Sequence, residues 1–569
     1  MEENTGSLKG WNLVGEAMIE AGVQYIFSLP GESIIPIQFS VEGGPIQIIS
    51  TRHEQAAAFM AEAYGRLTRK PGVVLVTVGP GFTNTISAVV NARLSNTPLV
   101  LIAGGHEAGS AEKQGLQDMR QEPIIESIVK KSLVCRAAER LPEYIDMAFR
   151  YAAEGRPGPV FLELPIDVLE ADVDPNRVKR IRTQAASRPV DPDDARKMIE
   201  MIETSKKPII MAGSGAYYSN AGSELTEFVE KTGIPAFTAN MSRGIIPDTH
   251  PLCFESSVIV RPGCAGMAIT GADLVILLGN RLGLYSVFGD FFRKDVRLVQ
   301  VDIEPEEMGR NRAIDHAVFA DIKALLSVCN RILDEAGEAG GLRSRFDTWV
   351  DALRENEKAA KLSSRREIDK EGRAIHPGRL AREVDAFMDR VDDIVVSDGG
   401  DTVAWMLATR TCRAELNVLD AGLFGCLGVG IPYGNAAKLV NPSRRVLVYT
   451  GDGSMGFNFM EIETSIRRGL PIVVVVDNNL GWGMTSNSMK SDFEKIVPGT
   501  VEIGNVPYHR AVEALGGMGI LVEKTDDIRP ALEQAFKSGR TACINVLTDP
   551  QIVGPASVAA AMLKGRMRS

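Results

Sequence analysis

Short, almost wholly apolar runs alternate along this chain with stretches whose apolar positions recur at helical spacing. Tyr25 to Leu29, Ile46 to Ser50, Val73 to Val78 and Pro98 to Ala103 read as strands. Such runs suit parallel strands covered on both faces. Residues 10–25 place Leu13, Ala17, Ile19 and Val23 on a helix, and an alanine-rich helix runs from Glu54 to about Thr68. The strands end in glycine turns, Pro30-Gly31 and Gly79-Pro80-Gly81 among them. The alternation returns further on. Pro208 to Ala212 runs into Gly213-Ser214-Gly215, and Leu274 to Leu278 and Leu298 to Asp302 are further strands. Arg445 to Thr450 runs into Gly451-Asp452-Gly453-Ser454, Met460 to Ile466 reads as helix, and Pro471 to Asp477 leads to Asn478-Asn479. Strand, glycine turn, helix and strand in repetition predict an α/β protein of doubly wound parallel sheets. Polar residues then stand at the strand carboxyl ends, where such sheets bind ligands.

Charged, proline-flanked residues 170–190 read as a linker, and the Glu-, Lys-, Arg- and Gly-rich residues 335–375 as a helical, solvated linker. They divide the chain into domains over 1–175, 190–340 and 375–550, with a tail over 551–569. A net charge of −10 argues against nucleic acid or an anionic membrane as a main partner. No apolar run is long enough to span a bilayer, and the acidic start Met1-Glu2-Glu3-Asn4 lacks a signal-peptide core. The seven cysteines are scattered with no CxxC, which fits a reducing cytoplasm better than a disulfide framework or zinc cluster.

The chemistry concentrates in Gly451-Asp452-Gly453-Ser454 and Asn478-Asn479. Asp452 and Asn479 offer hard oxygens of the kind magnesium takes, the glycines let backbone approach a phosphate, and the following helix N-terminus favours negative charge. This pair of motifs resembles the thiamine-diphosphate enzymes: decarboxylases, carboligases and acetolactate synthases. The resemblance implies thiamine diphosphate with Mg2+ held by Asp452, Asn479 and the Gly481 carbonyl. A second stretch, Arg52-His53-Glu54-Gln55 onward into Val73 to Asn84, resembles the family's pyrimidine-binding domain. There a glutamate, here Glu54, holds the aminopyrimidine and promotes the tautomer that removes the thiazolium C2 proton. Taken alone, Glu54 reads first as an N-cap or helix first-turn carboxylate, favoured there by the helix dipole.

The resemblance further implies cofactor contacts from Pro30, Asn84, Gly399, Gly400, Asp401, Gly453, Ser454, Trp482 and Gly483. It gives Gly425 a carbonyl for the 4′-amine and makes Leu427 the wedge that bends the cofactor. Gln117 is a candidate substrate contact, and the paired histidines of many 2-oxoacid decarboxylases are absent, since only His106 lies in that region. The middle domain is structural in some members and holds ADP or FAD in others. Within the family, PGESIIPI resembles acetolactate synthase large subunits, but Leu282-Gly283-Leu284-Tyr285 and Ile166 depart from them. VLDAGLFGCLGVG resembles 2-hydroxyacyl-CoA lyases, and NNLGWG with LLGNRLGL resembles benzaldehyde lyase. The implied activity is cleavage or formation of 2-hydroxy ketones or 2-hydroxyacyl thioesters, with condensation of 2-oxoacids as the alternative. A cofactor-binding scaffold without catalysis is a third reading. The resemblance also implies a homodimer or homotetramer with sites between chains, and a small-molecule substrate. The basic tail, Lys564 to Arg568, suggests a cover over a CoA-linked substrate or a frayed terminus.

Overall fold

The computed structural model describes residues 8–110, 113–180, 190–255, 262–337, 342–369 and 374–567. Arg568, at the end of the basic tail, lies outside them. The chain forms three six-stranded sheets, each wholly parallel.

The first sheet holds β1 (Tyr25–Ser28), β2 (Gln47–Ser50), β3 (Gly72–Val76), β4 (Leu99–Gly105), β5 (Lys131–Val134) and β6 (Pro159–Pro165). Its order is β2-β1-β3-β4-β6-β5, so the winding direction reverses between β1 and β3. The turns leaving those two strands meet there: a Cβ at Gly31 would lie 2.4 Å from the Thr77 Cβ. The second sheet holds β7 (Pro208–Ala212), β8 (Ala236–Thr238), β9 (Cys253–Glu255), β10 (Leu274–Leu278), β11 (Arg297–Asp302) and β12 (His316–Phe319), and reverses between β7 and β10. The third holds β13 (Ile394–Asp398), β14 (Val418–Leu419), β15 (Val446–Gly451), β16 (Val473–Asn478), β17 (Met518–Val522) and β18 (Ala542–Leu547), and reverses between β13 and β15. Central strands such as β10 and β16 are buried along their whole length, as the Leu, Ile and Val run of β10 and the four valines that open β16 require.

The chain divides into two compact units. One comprises residues 1–186 with 421–442 and 457–470; the other comprises 187–420, 443–456 and 471–569. The first therefore takes two helices from the last third of the chain, Gly430–Val440 and Glu461–Arg467. In the second, the stretch expected to be a helical, solvated linker holds the helix Asp347–Ile368, which is not solvated throughout. Trp349 and Leu353 on that helix are buried in the core of the middle sheet, and Trp349 Nε1 donates to the Pro208 carbonyl at 3.3 Å. Two large apolar side chains on one face were enough to recruit an otherwise charged helix. No helix among the described residues is long and apolar enough to cross a membrane.

Candidate active site

The candidate residues fall into two groups, one in each compact unit. In the first unit, β2 ends in an extended turn at His53, whose Nδ1 caps the helix Glu54–Thr68 by accepting from the Gln55 N–H at 3.1 Å. Glu54 is the first helical residue and is 7 % exposed. Asn84 Nδ2 donates to Glu54 Oε2 at 3.0 Å, so two of the expected residues are in direct contact. The turn ahead of Glu54 is held by Glu461, which is wholly buried. Its Oε1 accepts from the Arg52 N–H at 2.8 Å and its Oε2 from Thr464 Oγ1 at 2.7 Å. Burial pushes the Glu461 carboxyl up, while Thr464 and the Arg52 and His53 N–H groups oppose that.

Gln117 lies against the turn after β3, where a Cβ on Gly79 would come within 2.8 Å of its own Cβ. Its backbone is left-handed (φ 65°) and its side chain is exposed. The neighbouring Gln121 is buried and fixes that turn: its Oε1 accepts from the Gly79 N–H at 3.3 Å, and its Nε2 donates to the Gly104 carbonyl at 2.9 Å. Pro30 is exposed at the end of β1. Gly425 (φ 69°) is exposed and Leu427 half-buried, both on the loop that precedes the helix Gly430–Val440. That helix packs along Glu54–Thr68. The Ala56, Ala57, Ala61 and Ala63 side chains permit close approach on the buried faces.

In the second unit, β15 delivers Asp452 into a buried position, 2 % exposed. Asp452 Oδ1 accepts from the Gly453 N–H at 2.9 Å, and Tyr508 Oη donates to the Asp452 backbone carbonyl at 2.7 Å. Burial pushes the Asp452 carboxyl up to about 7; the Gly453 and Gly481 N–H groups oppose this and nearby Asp477 adds to it. Asp452 Oδ2 and Asn479 Oδ1 are both buried without a hydrogen-bond partner. An oxygen in that condition costs about 1–3 kcal/mol, so two in one motif call for a shared partner. A hard cation is such a partner. Among the described residues no cluster of three or more His, Cys, Asp or Glu could hold a metal, so a cation here depends on one carboxylate with amide and backbone oxygens.

The glycines of the motif are sterically required. A Cβ at Gly453 would lie 2.5 Å from the Trp482 ring, one at Gly481 2.5 Å from the Val501 carbonyl, and one at Gly483 2.5 Å from Asn479 Nδ2. Ser454 is buried beside them. Gly399 has φ 125°, and a Cβ at Gly400 would meet Met484 Sδ at 2.8 Å. The Asp401 carboxylate is engaged by the C-terminal helix Pro555–Met567: Oδ1 accepts from the Ser557 N–H at 2.9 Å, and Oδ2 from Ser557 Oγ at 2.7 Å and Asn487 Nδ2 at 3.3 Å. Its side chain thus ties the tail to the helix that follows the Gly399-Gly400 turn.

At the middle sheet's reversal the glycine turn closes on itself. The Gly213 N–H donates to the Leu278 carbonyl at 3.0 Å and the Gly215 N–H to the Gly279 carbonyl at 3.1 Å.

Sequence reasoning passed over Glu461, Gln121 and Tyr508. Each acts on a backbone group far away in the chain, and spacing carries no signal for such contacts.

Comparison with known proteins now bears on the whole chain. Residues 8–124 match the thiamine pyrophosphate enzyme N-terminal TPP binding domain, 195–328 the central domain and 398–546 the C-terminal TPP binding domain. A probable acetolactate synthase of Mycobacterium bovis is 31 % identical over 95 % of this chain and 96 % of its own length. A 2-hydroxyacyl-CoA lyase of Arabidopsis thaliana is 29 % identical over 96 % of this chain and 97 % of its own, and 2-hydroxyacyl-CoA lyase 1 of Homo sapiens 28 % over 97 % and 96 %. With both cofactor-binding domains and the central domain present in order, the chain belongs to the thiamine pyrophosphate enzymes and is a thiamine-diphosphate-dependent enzyme of carbon–carbon bond cleavage and transfer.

Proposed function

We propose that this enzyme cleaves or forms the carbon–carbon bond of 2-hydroxyacyl thioesters or 2-hydroxy ketones, with Mg2+ as its metal. The observation that carries the cofactor assignment is the pair of buried, unpartnered oxygens, Asp452 Oδ2 and Asn479 Oδ1. With the Gly481 carbonyl they would hold Mg2+. Gly399, Gly400, Gly453 and Ser454 would admit the diphosphate, and Trp482 and Gly483 would flank it. Pro30, Asn84 and Gly425 would line the pyrimidine, with Leu427 as the wedge.

Thiamine diphosphate, when bound, would supply a nucleophilic carbon and a cationic ring able to take up the electron pair of a broken carbon–carbon bond. The protein's own contribution is proton handling and orientation. Glu54, shielded from water and oriented by Asn84, would hold the proton at the aminopyrimidine nitrogen. Gln117, which lies against the turn after β3, would orient the substrate carbonyl.

The reading as a lyase is supported by the 2-hydroxyacyl-CoA lyases among the relatives and by apolar Leu282 to Tyr285 where acetolactate synthases carry charge. The identity to the Mycobacterium bovis protein favours a second reading, condensation of 2-oxoacids. Turnover of pyruvate, benzoin and a 2-hydroxyacyl-CoA side by side separates them. Exclusive turnover of pyruvate reverses the order.

The active enzyme is read as a homodimer or homotetramer. Leu423, Phe424, Phe457 and Met460 are exposed apolar side chains of the first unit, and a second copy would cover them. Light scattering with cofactor present tests this, a monomer being the contrary result. All seven cysteines are free, which suits the cytoplasm.

A further inference from the structure

We propose that Glu461 is a positioning residue for Glu54: its buried carboxylate fixes the Arg52–His53 turn and so sets where the Glu54 side chain begins. The proposal rests on the reading of Glu54 given above. Glu461 is 0 % exposed, and removing a carboxylate from water is unfavourable unless its oxygens are engaged. Both are. Oε1 accepts from the Arg52 N–H at 2.8 Å, and Oε2 from Thr464 Oγ1 at 2.7 Å, which holds the carboxylate in place. The Asn435 Nδ2 donates to the Glu461 backbone carbonyl at 2.9 Å and anchors the helix start from behind.

The rest of the segment grips the same turn from both sides. Arg468 Nη2 donates to the Ile48 carbonyl at 2.6 Å and Arg467 Nη2 to the Ser50 carbonyl at 2.9 Å, both on β2. Asn458 Nδ2 reaches Gln55 Oε1 at 3.5 Å on the first helical turn. The end of β2, the turn and the start of the Glu54 helix are thereby tied to one short helix. A polar clamp at a position where an apolar side chain would pack at lower cost points to precision of the turn rather than bulk stability. A displacement of about 1 Å at a proton-transfer group is enough to cost about 100-fold in rate.

The test compares Glu461→Ala, Glu461→Gln and Glu54→Gln in the full-length protein. Three readouts are taken with thiamine diphosphate and Mg2+: cofactor Kd, deuterium exchange at the cofactor's C2–H, and backbone amide exchange at residues 52–55. For Glu461→Ala we expect an unchanged Kd, C2 exchange slowed about 100-fold, and faster amide exchange at 52–55. Glu461→Gln keeps one acceptor oxygen and should fall between it and the wild type. Wild-type C2 exchange in Glu461→Ala overturns the proposal. If Glu461→Ala does not fold, Thr464→Val takes its place: slowed C2 exchange at unchanged Kd supports the proposal, and a wild-type rate overturns it. Wild-type C2 exchange in Glu54→Gln instead brings down the Glu54 reading itself. Amide exchange at 52–55 in Glu461→Ala then decides the clamp, standing if it accelerates and falling if it does not.

Discussion

The middle and C-terminal sheets reverse their winding in the same way, and each brings a glycine turn to the reversal. At the middle sheet the turn is consumed by the fold, because the Gly213 and Gly215 N–H groups bond to the Leu278 and Gly279 carbonyls. At the C-terminal sheet the turn leaves something over: Asp452 Oδ2 and Asn479 Oδ1 are buried without partners. The fold supplies a crevice in both cases. Unsatisfied polar atoms, not glycines, distinguish a crevice prepared for a ligand from one closed by packing.

The largest effect expected lies at neither of these turns. Glu54→Gln should lower turnover by about 100- to 10,000-fold, the usual contribution of a positioned acid or base, as read from initial rates at saturating cofactor. The comparison itself is tested next. Asp452→Ala should weaken Mg2+ binding in the presence of thiamine diphosphate by more than about 100-fold, since even losing a residue that only orients a metal ligand costs about 10- to 100-fold. Titration calorimetry measures this, with Gly213→Ala as its counterpart in the middle sheet. Equal loss of cofactor in both variants would break the comparison.

Gly213→Ala should act on stability instead. A Cβ there would lie 2.5 Å from the Gly279 carbonyl oxygen, and overpacking of this kind costs about 1–3 kcal/mol, visible as a lower Tm. The smallest effect concerns the scaffold beneath the C-terminal site. His376 Nδ1 caps the helix Pro377–Phe387 by accepting from the Gly378 N–H at 3.0 Å. Burial holds its pKa below the ordinary 6.5. A lowered folded-state pKa means that this stability is present above pH 6.5 and is lost as pH falls through the folded value. His376→Asn keeps a capping oxygen that does not titrate. It should flatten the pH dependence of unfolding on the acid side, read as a smaller fall in Tm between pH 7 and pH 5. An unchanged pH profile would show that the cap contributes nothing.

Much of this was legible beforehand. The helix expected from Glu54 to about Thr68 has those bounds, because a capping residue, an acidic first turn and a run of small side chains agree. The strands were legible because parallel strands covered on both faces must be apolar throughout. Residues 335–375 read as helical, and the helix Asp347–Ile368 is there, but average polarity hid Trp349 and Leu353, whose burial depends on a sheet far earlier in the chain. The contacts of the Asp401 carboxylate with Ser557 and Asn487 were not legible, because they come from segments that spacing does not relate to it.

The sequence by itself determined the three parallel sheets, the family, and the two motifs around Glu54 and Asp452, because periodicity and local turn chemistry act over a few residues. Only the tertiary structure decided which polar atoms find partners. Glu461 against Arg52, Tyr508 against Asp452 and the unpartnered Asn479 Oδ1 are all settled by contacts between distant segments. Burial removes water as the default partner, and from then on each oxygen depends on whichever chain segment the fold brings beside it.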